Sequence, residues 1–170
     1  MNKSVLLDTT FLISLSDDRR THHAKAVEFY KYFLEEKYAM ILSSIATCEF
    51  CIKQPLTDLP LHNFKMLAFN ITDSHHLSHL FESHFKNIGD SRIAIKDDFK
   101  LISQASYNKI DFIITEDEVM VDKLIKPLNE QSLLKTRPLF CPNGVSREFN
   151  IPPPTPNLFD QLLKDESEKV

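Results

Sequence analysis

Four acids, far apart in the chain, carry the residue types that could do chemistry: Asp8 in "SVLLDTTFLISL", Glu49 in "SSIATCEF", Asp98 in "DDFKLISQA" and Asp117 in "FIITED". Carboxylates brought together repel one another and hold protons more tightly unless a cation sits among them. A ligand set made only of oxygen suits a hard divalent ion, Mg²⁺ or Mn²⁺. Such an ion activates water, polarises a phosphoryl oxygen and stabilises a leaving group, which is the chemistry of phosphodiester hydrolysis. No cysteine or serine–histidine nucleophile has to be invoked. With only two glycines, Gly89 and Gly144, the chain has no Gly-rich phosphate loop.

The surrounding patterns say how these acids could meet. Residues 3–8 read as a buried strand, and 9–16 as a helix capped by Thr9 or Thr10. "AKAVEFYKYFLEEK" has apolar residues at helical spacing, "YAMILSS" reads as a second strand, and "SIATCEFCIKQ" as a helix stopped before Pro55. "KMLAFNIT" reads as a third, edge strand. A helix over "DSHHLSHLFESHFKN" is capped by Thr72, Asp73 or Ser74. "KDDFKLISQASYNK" is a helix, "IDFIIT" a strand, "EDEVMVDKLIKPL" a short helix and "RPLFC" a last strand. Strands alternating with helices specify an α/β fold with a mainly parallel sheet and helices on both faces. In such sheets ligands bind beyond the carboxyl ends of the strands. Asp8 and Asp117 lie at two such ends, Glu49 on the helix after a third, and Asp98 at a helix start.

Helical phase adds to this. Asp98 shares a face with Leu101, Ile102 and Ala105, whereas Asp97 is rotated away by about 100° and is expected to be solvated. Glu49 shares a face with Ile45, Ala46 and Ile52. Each acid alone has an ordinary reading: Asp8 and Asp98 as helix-start residues, Asp117 as a turn residue, Glu49 as a partner of Lys53. Joint placement favours a shared acidic site.

These segments resemble a known family, the PIN domain, the small Mg²⁺-dependent ribonuclease fold of VapC-type toxins. "LLDTTFLISL" resembles its first motif, "SSIATCEF" the segment supplying its second acid, "DDFKLISQA" its third motif and "FIITED" its final strand and acid. The loop "DDRRTHHAKAVEF" is similar to the family's loop into its second helix. The resemblance spans residues 4–118 and implies a three-layer α/β/α fold with a mainly parallel central sheet. It implies Asp8, Glu49, Asp98 and Asp117 as catalytic metal ligands, with Thr10 and Thr115 as supporting hydroxyls. It further implies a Mg²⁺- or Mn²⁺-dependent endoribonuclease, an RNA substrate, a homodimer, and a toxin covered by a small antitoxin. A catalytically silent PIN-fold interaction or RNA-binding module is the alternative.

The bulk composition fits one globular domain: 170 residues, 42% hydrophobic, 13 Phe, net charge −4. There is no long apolar run to span a membrane and no secretory pattern, so a cytoplasmic protein is expected. Three cysteines, Cys48, Cys51 and Cys141, read as reduced thiols. Cys48 and Cys51 are expected to act as buried small hydrophobes rather than zinc ligands. His75 and His79 are four apart but lack the other parts of a zinc motif. His22, His23, Arg19 and Arg20 are candidates to border the cleft. Domain organisation is expected as a nuclease unit over 1–148 and a tail over 149–170, where "PPPTP" leads to a short amphipathic helix.

Overall fold

The structure is a computed structural model that describes residues 3–84 and 95–152. In chain order the elements are β1 (Ser4–Leu7), α1 (Thr9–Ser16), α2 (His23–Glu35), β2 (Ala39–Ser43), α3 (Ser44–Cys51), β3 (Phe64–Leu67), α4 (Ile71–His84), α5 (Ile95–Tyr107), β4 (Phe112–Thr115), a π-helical turn (Met120–Ile125) running into α6 (Lys126–Glu130), β5 (Arg137–Phe140) and α7 (Val145–Glu148). The expected amphipathic tail helix lies outside the described residues.

All described strands run parallel, in the order β3-β2-β1-β4-β5. The chain steps outward from β1 to β3, then crosses back to β4 and β5. Right-handed crossovers put helices on opposite faces for the two directions, which makes the three layers. Both faces of the sheet are therefore covered, and its central strands can be apolar throughout. Val5, Leu6 and Leu7 are fully buried, as are Ile113 and Ile114. Each such side chain contributes roughly 1.5–3 kcal/mol. Phe11, Phe29, Phe33 and Phe50 fill the spaces between sheet and helices. Phe149 extends this packing past α7, with its ring centroid 4.7 Å from that of Tyr32.

Helix starts depart from the sequence reading. The cap of α1 is Asp8, not Thr9 or Thr10: its side chain accepts from the Thr10 N–H at 3.3 Å. The cap of α4 is Asn70, not Thr72, Asp73 or Ser74. Asn70 Oδ1 accepts from the Thr72 and Asp73 N–H groups, and Asp73 Oδ2 accepts from the Asn70 N–H at 2.9 Å. That reciprocal pair is a capping box, with Asp in the place of the usual Glu. The expected helix after β4 is widened into a π turn ahead of Pro127. Proline has no N–H and clashes with the carbonyl four residues back, and the wider turn relieves that clash.

Register places the site. Leu7 pairs with Leu42 and with Ile114, so Asp8, Ser43 and Thr115 end level with one another at the carboxyl edge of β1, β2 and β4. The sheet reverses its winding between β1 and β4, so this edge is a topological switch point, where open α/β sheets bind ligands.

Candidate active site

Asp8 is 4% exposed, the most enclosed of the four acids. Its Oδ2 accepts the Thr10 hydroxyl at 2.5 Å and the Thr115 hydroxyl at 2.7 Å. Each hydroxyl has one proton, and both protons go to Asp8. The 3.2 Å contact between Thr10 Oγ1 and Thr115 Oγ1 therefore carries no proton while Asp8 is ionised. The same oxygens accept in turn: Thr10 Oγ1 from the Glu116 N–H and Thr115 Oγ1 from the Asp117 N–H, both at 2.9 Å. Two hydroxyls thus tie the end of β1 to the end of β4. Burial raises the Asp8 carboxyl above its ordinary range, and these hydroxyls oppose that rise.

Glu49 projects from α3, and its Oε2 accepts the hydroxyl proton of Thr9. Burial raises its carboxyl, the Thr9 bond lowers it, and Asp8 and Asp97 raise it further. Lys53, the sequence-level alternative partner, is exposed. Asp117 Oδ1 accepts from the Val119 N–H at 2.7 Å and the Met120 N–H at 3.1 Å, which anchors the turn after β4. Asp97 pairs with Lys100 at 2.5 Å.

Asp98 reports most directly on the others. Its neighbours on the helix face, Leu101, Ile102 and Ala105, are all buried. Burial, then the charges of Asp8, Asp117, Glu49 and Asp97, push its carboxyl up to about 7. Acids from four separate segments therefore act on one another here. Among the described residues, no three His, Cys, Asp or Glu side chains stand close enough to hold an ion as placed. The acids share a field without forming a closed ligand shell. As a donor set they fit a hard divalent cation, being all oxygen and mutually repelling.

No protein-family model matches the sequence, and no curated protein matches it. Solved structures do match in shape. One is a chain of VapBC2 from Rickettsia felis, bound to a DNA fragment from their promoter, with TM-score 0.54, 11% identity, and 80% of this chain and 97% of that chain covered. Another is Mycobacterium tuberculosis VapC20, a sarcin–ricin loop cleaving toxin, with TM-score 0.50, 11% identity, and 79% and 99% covered. The fold is PIN-like.

Within this PIN-like fold, some features escaped the sequence reading. Thr9 is not the helix cap but the residue that bonds Glu49. Glu116, which the sequence pattern does not single out from its acidic neighbours, has a side chain only 8% exposed. Cys48 and Cys51 are exposed rather than buried, while Cys141 is buried; all three are free thiols. On α3 the inward positions are taken by Ala46 and Phe50, four apart, which turns both cysteines outward. His75 and His79 are exposed on α4, their rings 4.7 Å apart, and His76 bonds Ser106 Oγ at 2.9 Å. Of the loop candidates, His23 Nδ1 bonds the Ser14 carbonyl at 2.9 Å and Arg19 pairs with Asp17 at 2.8 Å. Arg20 and His22 line a small cleft beside Glu116. No helix among the described residues is long and apolar enough to cross a membrane.

Proposed function

We propose that this chain is a divalent-metal-dependent endoribonuclease. The observation that carries the reading is geometric: β1, β2 and β4 end level at the switch point, where Thr115 bonds Asp8 and Thr9 bonds Glu49, and burial with the neighbouring acids raises the Asp98 carboxyl beside them. An anionic phosphodiester would be repelled from four carboxylates, so such a site acts on nucleic acid only with a cation between them. Asp8, Glu49, Asp98 and Asp117 would hold Mg²⁺ or Mn²⁺. The ion supplies Lewis-acid chemistry: activation of a water and neutralisation of charge on the phosphoryl group.

The chain's own groups would do the positioning. Thr10 and Thr115 fix the Asp8 carboxylate from one side, and Thr9 fixes Glu49. The rigid ends of β1 and β4 carry two of the acids. Hydroxyls that already donate to a carboxylate leave its remaining lone pairs for a ligand.

RNA as substrate, a toxin role with an antitoxin partner, a homodimer and a cytoplasmic setting belong to the same proposal. The fold likeness to VapBC2 and to VapC20 supports it. The nuclease unit, read from the sequence as 1–148 with a proline-linked tail over 149–170, would run on through Phe149, whose ring packs against Tyr32. One observation favours a second reading, a silent PIN-fold interaction or RNA-binding module: the acids as placed are too far apart to enclose an ion. Cleavage of a mixed RNA pool with Mg²⁺ or Mn²⁺, native chain against Asp8→Asn and EDTA, separates the two. Metal-dependent cutting supports the enzyme. RNA binding without cutting supports the module.

A further inference from the structure

Between α3 and the edge strand β3 lies a groove of about 370 Å³ that the acidic centre does not use. Its helical wall is Ser44, Thr47, Cys48 and Cys51, spaced i, i+3, i+4 and i+7, which is one face of a helix. Met66 stands on the strand side. Register sets it beside Leu42, so both side chains lie on the sheet face that borders α3. Glu49 leaves α3 in a different direction, toward Thr9 of α1. The groove and the acidic centre therefore sit on different sides of one short helix.

The hydroxyls of this groove are already committed. Ser44 Oγ accepts the Phe69 N–H at 2.9 Å, and the Thr47 hydroxyl donates to the Ser43 carbonyl at 2.8 Å. What remains is sulfur. Cys48 and Cys51 are exposed free thiols, and Met66 is 60% exposed. Exposed sulfur is open to oxidation and cross-linking, so two thiols and a thioether turned into one groove make a chemically distinct surface. Side chains three apart on a helix have Cβ atoms about 5–6 Å apart. Two metal–sulfur bonds of about 2.3 Å each can bridge the sulfurs of such a pair. Methionine is unbranched, with three rotatable side-chain bonds, and can bring its sulfur onto the same ion from β3.

We propose that Cys48, Cys51 and Met66 form a binding site for a soft monovalent cation of the Cu(I) class, which pins α3 to the edge strand β3. The site goes beyond the nuclease reading and does not depend on it. Thiolate and thioether ligands select soft ions. Two thiolates and one thioether make a three-coordinate shell, which a monovalent ion with a filled d shell accepts. Zn²⁺ fits less well, because its structural sites close with four ligands. Among the described residues, no His, Asp or Glu lines the groove to supply the fourth. Mg²⁺ and Mn²⁺ need oxygen donors, and the oxygens here are occupied. On binding, each thiol passes its proton to solvent, and no electron is transferred.

The test uses the full chain, reduced, freed of divalent ions with EDTA and held under argon. Cu(I) is titrated in against a chromogenic Cu(I) chelator. The native chain should withdraw one Cu(I) per chain and develop sulfur-to-copper absorption in the near ultraviolet. The double variant Cys48→Ser, Cys51→Ser should withdraw none. Iodoacetamide, which reaches these two thiols but not buried Cys141, should abolish binding without any substitution. Met66→Leu, a volume-conserving change, should bind more weakly with both thiols still present. Cu(I) should raise the Tm of the native chain, raise that of Met66→Leu less, and leave that of the double serine variant unmoved. Zn²⁺ at equal concentration should raise the native Tm less than Cu(I) does. No withdrawal by the native chain overturns the proposal, as does binding that survives alkylation or the double serine change. So does one ion per two chains, an affinity and Tm response unchanged by Met66→Leu, or a Zn²⁺ effect as large as that of Cu(I).

Discussion

Thr115 donates its hydroxyl proton to Asp8 across 107 residues of chain, at 2.7 Å, and the same oxygen accepts the Asp117 N–H. One side chain therefore orients one acid and the backbone of another. Thr115→Val keeps the shape and removes both bonds, leaving the Asp117 N–H without its acceptor. The expected loss is about 1–3 kcal/mol in stability by urea denaturation and about 10- to 100-fold in metal affinity. Thr115→Ser should recover most of both. Equal behaviour of Val and Ser would mean that the hydroxyl does no orienting.

Thr9 has the corresponding part for Glu49. Thr9→Val should leave the fold intact, because Thr9 is not the cap of α1. It should weaken Mn²⁺ binding by about tenfold, the usual scale for a partner that orients a ligand. Calorimetric titration checks it. Unchanged affinity would remove Glu49 from the ligand set.

The acidic cluster should tie stability to pH. The Asp98 carboxyl is raised from 3.8 to about 7 in the folded chain. Between those values the folded state holds a proton that the unfolded state has lost. Its contribution is full below about pH 4 and is lost as pH rises through about 7. With solvent screening this amounts to about 1–2 kcal/mol, or roughly 2–8 °C in Tm for a domain of this size. In EDTA, Tm should fall between pH 5 and 8, and Asp98→Asn should flatten that fall. Mn²⁺ should raise Tm more at pH 8 than at pH 5, because protons and the ion compete for the same oxygens. A native profile as flat as the Asp98→Asn profile would contradict the coupling.

Much of the architecture was readable because β1 and β4 are continuous apolar runs bounded by polar residues, and because the α5 face of Leu101, Ile102 and Ala105 repeats at helical spacing. What was not readable depended on competition between near-equal neighbours. Asp8, Thr9 and Thr10 are all good caps, and only the tertiary bonds to Glu49 and Thr115 decide which one caps. Cys48 and Cys51 read as buried because α3 is short and mixes apolar residues with Ser44, Thr47 and Glu49, so no single face dominates its pattern. Glu116 sits in "TEDE", where three acids in a row carry no phase at all. Which of them turns inward is set by the exit of β4.

Phe149 marks where the packed body continues past α7, in contact with Tyr32, Tyr38 and Phe112. A chain ending at residue 148 should unfold at lower urea concentration than one ending at 151. Phe149→Ala in the full chain should cost about 3 kcal/mol, at the low end for a core aromatic, since Phe149 is only partly buried. Identical stability of the two truncations would place the boundary before Phe149.

A metal nuclease site at the switch point requires both the charge of Asp8 and a divalent ion. The most direct measurement is cleavage of a mixed RNA pool with Mg²⁺ or Mn²⁺ by the native chain, by Asp8→Asn and by the native chain in EDTA. Asn keeps the size of Asp8 and removes its charge. Cutting by the native chain, with at least a hundredfold loss in the variant and none in EDTA, is the expected result. Cutting that persists in Asp8→Asn or in EDTA would contradict the account.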